Sequence, residues 1–310
     1  MRIFWHKKNS LEKAIRWVKR HRVRKRGIAV HQKTKKISQE VTGYLISSLY
    51  NAGEKALAYE LAKWEASVQQ ASGAFLAPGG KEYTFDTAQV MRGFLSVIKD
   101  MPELKTNLRK AADYVYSNID DEGYVYTPSY SAWKLNDGSY FSRYCDLYVL
   151  WPLIHAGKIL GENKYIYAAE RALACFKRTP DLIRFKPELG TISHIFGYMM
   201  EALVELGEFD LAEKGLIQAA AIQKEDGSIP AFPGAGWICS PGIAQIAIAW
   251  HKLGERQRAA KAFSYLEKIQ NPSGGWYASF GKDADYLPGK EVSWANKFFI
   301  DLYLLVRGGK

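Results

Sequence analysis

Two carboxylates, Asp86 and Asp146, open successive apolar runs in this 310-residue sequence, with Glu40 before them and Glu291 far behind. Paired carboxyl groups are what cleavage of a glycosidic bond requires: one protonates the leaving oxygen, and the other activates water or attacks the sugar. A second chemistry is open to the same stretches. Arg143 could hold a uronate carboxylate while His194 or a tyrosine takes the α-proton, as elimination or C5-epimerisation needs. Arg143 and Asp146 also have the spacing of an ordinary intrahelical ion pair. Spacing alone does not choose among the three.

The elements that must position these residues are helices. From Glu40 onward apolar residues recur at i, i+3 and i+4, and the runs break at Gly or Pro. The pattern predicts twelve helices, over about 10–22, 40–52, 54–69, 86–99, 103–118, 140–160, 163–177, 191–206, 209–223, 241–253, 256–270 and 292–306. Their connections alternate between tight turns and long loops. Short turns make antiparallel hairpins, so strict alternation gathers every long loop at one end. A phrase also repeats. "IQNPSGGW" at Ile269, "VQQASGAF" at Val68, "IQKEDGSI" at Ile222 and a weaker "NIDDEGYV" at Asn118 place anchor glycines at 73, 123, 227 and 274. A period near 50 residues, with one divergent copy near "FKPELG", indicates a repeat architecture. The expected fold is all-α: six hairpins closed into an (α/α)6 toroid, with the helix after each long loop lining the inside.

Aligned on their first turns, the six inner helices carry a polar residue at one position: Tyr44, Gln89, Asp146, His194, Gln245 and Asn296. In a toroid these would converge near the axis and line a cavity; as a bland alternative they form a hydrogen-bonded core layer. Above them stand Glu40, Asp86, Arg143 and Glu291. The loop aromatics Tyr83, Tyr126, Tyr130, Trp133, Tyr140, Trp237, Trp276, Tyr277 and Tyr286 belong to the same end. Aromatic faces beside planar polar groups suit sugar rings, although loop packing accounts for such residues equally well. The expected catalytic set is Asp146, Asp86, His194 and Arg143. The expected substrate-binding set is Tyr44, Gln89, Gln245, Asn296, Tyr140, Trp237, Trp276, Glu40 and Glu291.

The repeat resembles the Gln-Trp type repeats of the squalene cyclase and prenyltransferase superfamily. It is also similar to six-hairpin carbohydrate enzymes, the unsaturated glucuronyl hydrolases and related lyases and epimerases. "EVTGYLISSL" followed by "FDTAQVMRGF" resembles toroid proteins that accompany bacterial surface-polysaccharide biosynthesis. The likeness spans about residues 38–306 and implies a carbohydrate-active protein acting on an anionic or lipid-linked glycan. A glycosidase, a lyase and a uronic-acid epimerase all remain open, as does a non-catalytic glycan-binding or assembly protein using the same cavity. A terpenoid cyclase is disfavoured: the only acidic run, "DDE" at 120–122, lies in a loop, and the inner ring is polar. "GWICSPGIAQ" resembles the Trp-x-Cys start of an inner helix in the zinc-dependent lanthipeptide cyclases, but the following inner helix, "EVSWANKF", has neither Cys nor His. No metal and no cofactor are therefore expected.

Charge divides the chain. Residues 1–36 hold 14 Lys and Arg against one acid, Glu12, whereas the remainder carries 29 basic and 31 acidic residues. The organisation expected is a basic amphipathic segment over 1–36 and a toroid over 37–310. Leu11, Ile15 and Val18, with Trp17 beside them, form a stripe that can face an anionic membrane or close the ring as its twelfth helix, but not both. No nucleic-acid motif accompanies the basic residues, so nucleic acid is not an expected partner. Three scattered cysteines imply no disulfide framework, and the first residues do not read as a signal peptide. The expected location is cytoplasmic, with peripheral attachment to the inner membrane face as an option.

Overall fold

Gly or Pro stands near the end of almost every apolar run, and there the chain turns. The computed structural model describes residues 9–128, 142–178, 183–186 and 191–308, without the side chains of 142–144. Among these residues are twelve α-helices: α1 (Ser10–Arg20), α2 (Gln39–Asn51), α3 (Lys55–Val68), α4 (Thr84–Val97), α5 (Lys105–Ser117), α6 (Ser142–Leu160), α7 (Asn163–Lys177), α8 (Ser193–Glu205), α9 (Phe209–Ile222), α10 (Ser240–Lys252), α11 (Arg256–Lys268) and α12 (Ser293–Arg307). They match the helices expected from periodicity to about two residues at each end. Two three-residue strands, β1 (Trp237–Cys239) and β2 (Ser279–Gly281), pair antiparallel in the long loops.

The even-numbered helices pack in sequence, α2 on α4, α4 on α6, α6 on α8, α8 on α10 and α10 on α12, and α12 returns to α2. That closed inner ring is wrapped by α3, α5, α7, α9 and α11, each against its hairpin partner, with α1 against α12. The fold is the six-hairpin all-α toroid.

The repeated Gln and Gly make the outer layer. The Gln69 amide donates to the carbonyls of Gly73 (2.9 Å) and Asn107 (3.0 Å), the latter on the next outer helix. Gln223 donates to Arg258 (3.1 Å), and Gln270 to Gly274 (3.1 Å) and Ser10 (2.9 Å). Gln69 and Gln270 thus tether the loop after their own helix to the following outer helix, and Gln223 reaches the following helix in the same way. The anchor glycine is needed for the same contact. Gly73 and Gly274 have φ of +93° and +96°, and a Cβ on either would lie 2.2 Å from the carbonyl oxygen of Lys110 or Lys13. An L side chain is excluded twice over, by conformation and by space. Since Gln270 and Gly274 meet α1 as Gln69 and Gly73 meet α5, α1 occupies the sixth outer position. Its buried face is Ala14, Ile15, Trp17 and Val18. The stripe therefore faces the neighbouring helices.

Inner helices are pinned at their starts by hydroxyls. Thr42 Oγ1 donates to Ser38 O (2.7 Å) and accepts from Ile28 N (2.9 Å); Thr87 does the same with Tyr83 O (2.8 Å) and Phe75 N (3.0 Å). These bonds lock each long loop to the helix it feeds, and so fix where the first-turn side chains point.

Candidate active site

Glu40 lies in the first turn of α2 and Asp86 in the first turn of α4, neighbouring helices of the inner ring. Both are held at the end where the long loops gather. Burial pushes the Glu40 carboxyl up to about 7, against the opposing pull of the Tyr44 and Tyr198 hydroxyls and of Lys297. The Tyr44 hydroxyl faces this carboxyl without a hydrogen bond of normal geometry. Asp86, 2% exposed, is raised well above the usual carboxylate range by burial and then by the charge of Glu40. A third carboxyl stands behind it: Glu65 of α3 is fully buried, neither of its oxygens has a partner, and burial with the Asp86 charge raises it strongly. Two carboxyls that repel each other in a water-poor site each hold a proton more tightly than in water.

Aromatic residues wall this end. The His194 ring lies 4.7 Å from Tyr198, 5.8 Å from Tyr286, 5.8 Å from Phe298 and 6.4 Å, stacked, from Trp294. His194 Nδ1 is 2.5 Å from Gln245 Oε1, so Nδ1 carries the proton and Nε2 is the acceptor nitrogen. Burial lowers the imidazole to about 4, against its hydrogen bond to Gln245, which raises it. His194 is thus a neutral acceptor at physiological pH. Below it, Tyr44, Tyr148, Tyr198 and Phe298 pack ring against ring across the axis. Lys297 sits under them, its Nζ 4.9 Å from the Tyr44 ring and 3.9 Å from Phe298.

Of the residues expected here, the mouth gathers Glu40, Asp86, Tyr44 and His194, with Gln245 behind the imidazole and Tyr286 beside it. The expected six-membered axial ring does not assemble. Asn296 turns outward and donates to the carbonyls of Ala14 (3.3 Å) and Gly274 (3.1 Å), fastening α1. Asp146 lines a water-sized crevice between α6, α7 and the loop at Gly123, while its neighbour Cys145 is the α6 residue close to Glu40 and Asp86. Gln89 is buried and donates to Phe85 O of its own helix (3.2 Å). The common first-turn alignment fails because inner helices rotate by a residue or two relative to one another, and one residue is 100° of helix.

Three loop residues serve packing instead of the mouth. Glu291 accepts from Trp17 Nε1 (2.7 Å), Asn271 Nδ2 (2.8 Å) and Ser273 Oγ (2.6 Å), which saturates its carboxylate. Trp276 is buried, gives its indole N–H to Leu266 O (2.8 Å) and lies against Phe299. Trp237 is buried in β1 against Phe232. Tyr126 and Tyr277 are exposed, and Tyr83 is buried. Tyr130, Trp133 and Tyr140, with the side chain of Arg143, fall outside the described residues.

Tyr198, Trp294, Phe298, Cys145 and Lys297 were not singled out from sequence. Their signal was one helical turn: Tyr198 follows His194 by four, as Tyr44 follows Glu40 and Phe298 follows Trp294. A lysine inside the apolar run "WANKFFID" was equally legible. Cys239 had a metal alternative. Its thiol is pushed up to about 12 by burial, and the residue stands at the N-cap position of α10 without a side-chain capping hydrogen bond. Among the described residues, no group of three or more His, Cys, Asp or Glu is arranged to hold a metal ion.

No family model matches the sequence, and no curated protein sequence matches it. Solved structures match along nearly the whole chain. An alpha-amylase from Clostridium perfringens superposes with a TM-score of 0.71 at 14% identity, over 96% of this chain and 98% of its own. The chain shares the six-hairpin α/α toroid. An unsaturated glucuronyl hydrolase specific for heparin gives 0.70 at 11% identity, covering 96% of each chain. A polysaccharide lyase gives 0.61 at 14% identity, again covering 96% of each. At such identities the likeness is one of fold.

Proposed function

We propose that this chain is a carbohydrate-active enzyme that hydrolyses a glycosidic bond at the mouth of the toroid. The Glu40–Asp86 pair carries the reading. Two neighbouring carboxyls, both raised by burial and one by the charge of the other, can present one acid and one base together, the combination that glycoside hydrolysis uses. His194 Nε2 offers an acceptor for a sugar hydroxyl, and Tyr198, Tyr286 and Trp294 offer apolar faces. Among the described side chains elimination or epimerisation is less well served, because Lys297 lies beneath the aromatic layer and pairs with Asp301 at 3.0 Å. That three structural neighbours bear the names amylase, glucuronyl hydrolase and lyase supports a glycan as substrate.

The substrate class we favour is an anionic or lipid-linked glycan of surface-polysaccharide metabolism. Support comes from the basic region around α1, where Arg16, Lys19, Arg20, Arg24, Lys25, Arg26, Lys33, Lys35 and Lys36 are exposed. Such a face attracts an anionic glycan or the inner face of a membrane. Among the described residues no helix is long and apolar enough to cross a membrane.

Incubation with α-glucan oligosaccharides, heparin-derived oligosaccharides and unsaturated uronyl disaccharides tests the reading, with new reducing ends measured by chromatography. Turnover by the wild type and its loss in Glu40→Gln are expected. Binding to the mouth with no turnover of any class would favour the glycan-binding alternative and remove the hydrolase.

A further inference from the structure

Beneath the aromatic layer, the inner ring opens at its other end into a second cavity of about 490 Å³. All six inner helices line it, mostly through their C-terminal halves. Its walls are charged, and their charges are arranged in pairs. Arg92 grips Glu205 with two hydrogen bonds, at 3.1 and 2.8 Å. Lys297 pairs with Asp301 at 3.0 Å, and Lys252 stands 3.7 Å from Glu205. Part of this wall is built by a proline. Pro152 inside α6 has no N–H for the carbonyl of Tyr148 four residues back, and Arg92 Nη2 donates to that oxygen at 2.9 Å.

One group is left over. Glu201 lines the cavity at 3% exposure, and its Oε1 has no hydrogen-bond partner. Burial pushes this carboxyl up to about 7. A buried polar atom without a partner costs on the order of 1–3 kcal/mol, so the Glu201 carboxyl at the cavity wall gains when a ligand supplies the bond. The lining also says what kind of ligand fits. Arg92, Lys252 and Lys297 face the carboxyl groups of Glu201, Glu205 and Asp301, three basic groups and three acids. A multivalent anion would meet the three acids, and a multivalent cation the three bases. A neutral molecule with many hydroxyls meets donors and acceptors in alternation and disturbs no ion pair. The volume lies within the range of small-molecule sites.

We propose that this basin is a second ligand site, separated from the mouth by the Tyr44, Tyr148, Tyr198 and Phe298 layer, and that it takes an uncharged hydroxyl-rich molecule of mono- to disaccharide size against Glu201. The proposal does not depend on catalysis at the mouth, because none of the basin's charged groups belongs to the Glu40–Asp86 pair.

Soaking crystals of the full chain with maltose locates the ligand directly, and calorimetry with maltose measures it. Density for the sugar in the basin, with a hydroxyl within hydrogen-bond distance of the Glu201 carboxyl, is the expected result. Ser47→Trp fills the basin from its half-buried wall and should weaken that binding at least tenfold while leaving hydrolysis at the mouth unchanged. Ile159→Trp, at the exposed rim, serves if Ser47→Trp does not fold, with the same expectation. Glu40→Gln should bind in the basin as the wild type does, so loss of turnover and loss of basin binding are separable. Only water in the soaked basin, equal affinity in the filled variants, or occupation by a zwitterion such as glycine betaine in place of maltose would each overturn the proposal.

Discussion

The indole of Trp17 donates to Oε2 of Glu291 at 2.7 Å, joining residues 274 apart in sequence inside the buried seam between α1 and the last long loop. Trp17 is 0% exposed. Trp17→Ala should therefore cost about 3–5 kcal/mol of stability in chemical denaturation, as truncation of a large core side chain does. Trp17→Phe keeps most of the packing and leaves Oε2 without its donor, and should cost roughly 1–3 kcal/mol.

The same seam bears on membrane attraction. Since the apolar stripe of α1 is occupied, among the described residues the attraction to anionic vesicles comes from the exposed Lys and Arg residues. Flotation at low salt should show binding that fades as salt approaches physiological strength, where the Debye length is roughly 8 Å. Trp17→Phe should leave it unaltered, and replacing Arg24, Lys25 and Arg26 by Ser should weaken it. Binding that persists in high salt would contradict a purely electrostatic attachment.

At the mouth, Glu40→Gln and Asp86→Asn should each lower turnover by about 10²–10⁴-fold, the usual worth of an acid–base group. The pH–rate profile should lose its ionisation near 7 in Glu40→Gln, the carboxyl held at about 7 by burial. Asp146→Asn, in the outer crevice, should stay within a few-fold of wild type. Wild-type rates in Glu40→Gln would exclude this carboxyl from the reaction.

His194 offers a spectroscopic test. Its imidazole sits at about 4 because burial disfavours the cation. Gln245→Glu places a carboxylate on Nδ1, and an NMR titration should show the imidazole pKa rising by more than one unit. No movement would mean that the two side chains do not meet in solution.

Glu65 shapes stability. Its folded-state pKa is raised, so the buried carboxyl is protonated while the unfolded chain releases that proton above about 4.5. Stability from this group is complete below the unfolded value and is lost as pH rises toward the folded one. Asp86, Glu40 and Glu201 have the same sign, and His194, lowered instead, opposes them between about 4 and 6.5. Glu65→Met should raise stability by about 1–3 kcal/mol at pH 8 and flatten the decline measured by denaturation across pH 5–8.

The hairpins were legible because Gly and Pro punctuate them and because Gln69, Gln223 and Gln270 recur with their glycines. Glu40, Asp86 and His194 were legible as polar residues at the starts of apolar runs. Azimuth was not. Asn296 faces α1 and Trp294 the mouth, a difference of two residues that a shared alignment cannot detect. Trp276 and Glu291 looked like mouth residues because they lie in a long loop, yet that loop folds inward over Leu266 and Trp17. The basin was not legible because its charged residues, Arg92, Glu201, Glu205 and Lys297, sit on three helices and converge only once the ring has closed.

Ring closure through α1 sets a schedule for synthesis. Ala14 receives its hydrogen bond from Asn296, so the first outer helix has no complete neighbour until the last inner one exists. A ribosome adding about 5–20 residues per second needs roughly 15–60 s to travel between them. Throughout that interval the apolar face of α1 and the open edge of α2 stand uncovered beside a growing arc of helices. The nascent chain is then exposed to mispairing with another copy at the one seam that the finished ring conceals, and a chaperone that covers this edge during translation would raise the yield of closed toroid more than one acting on the completed chain.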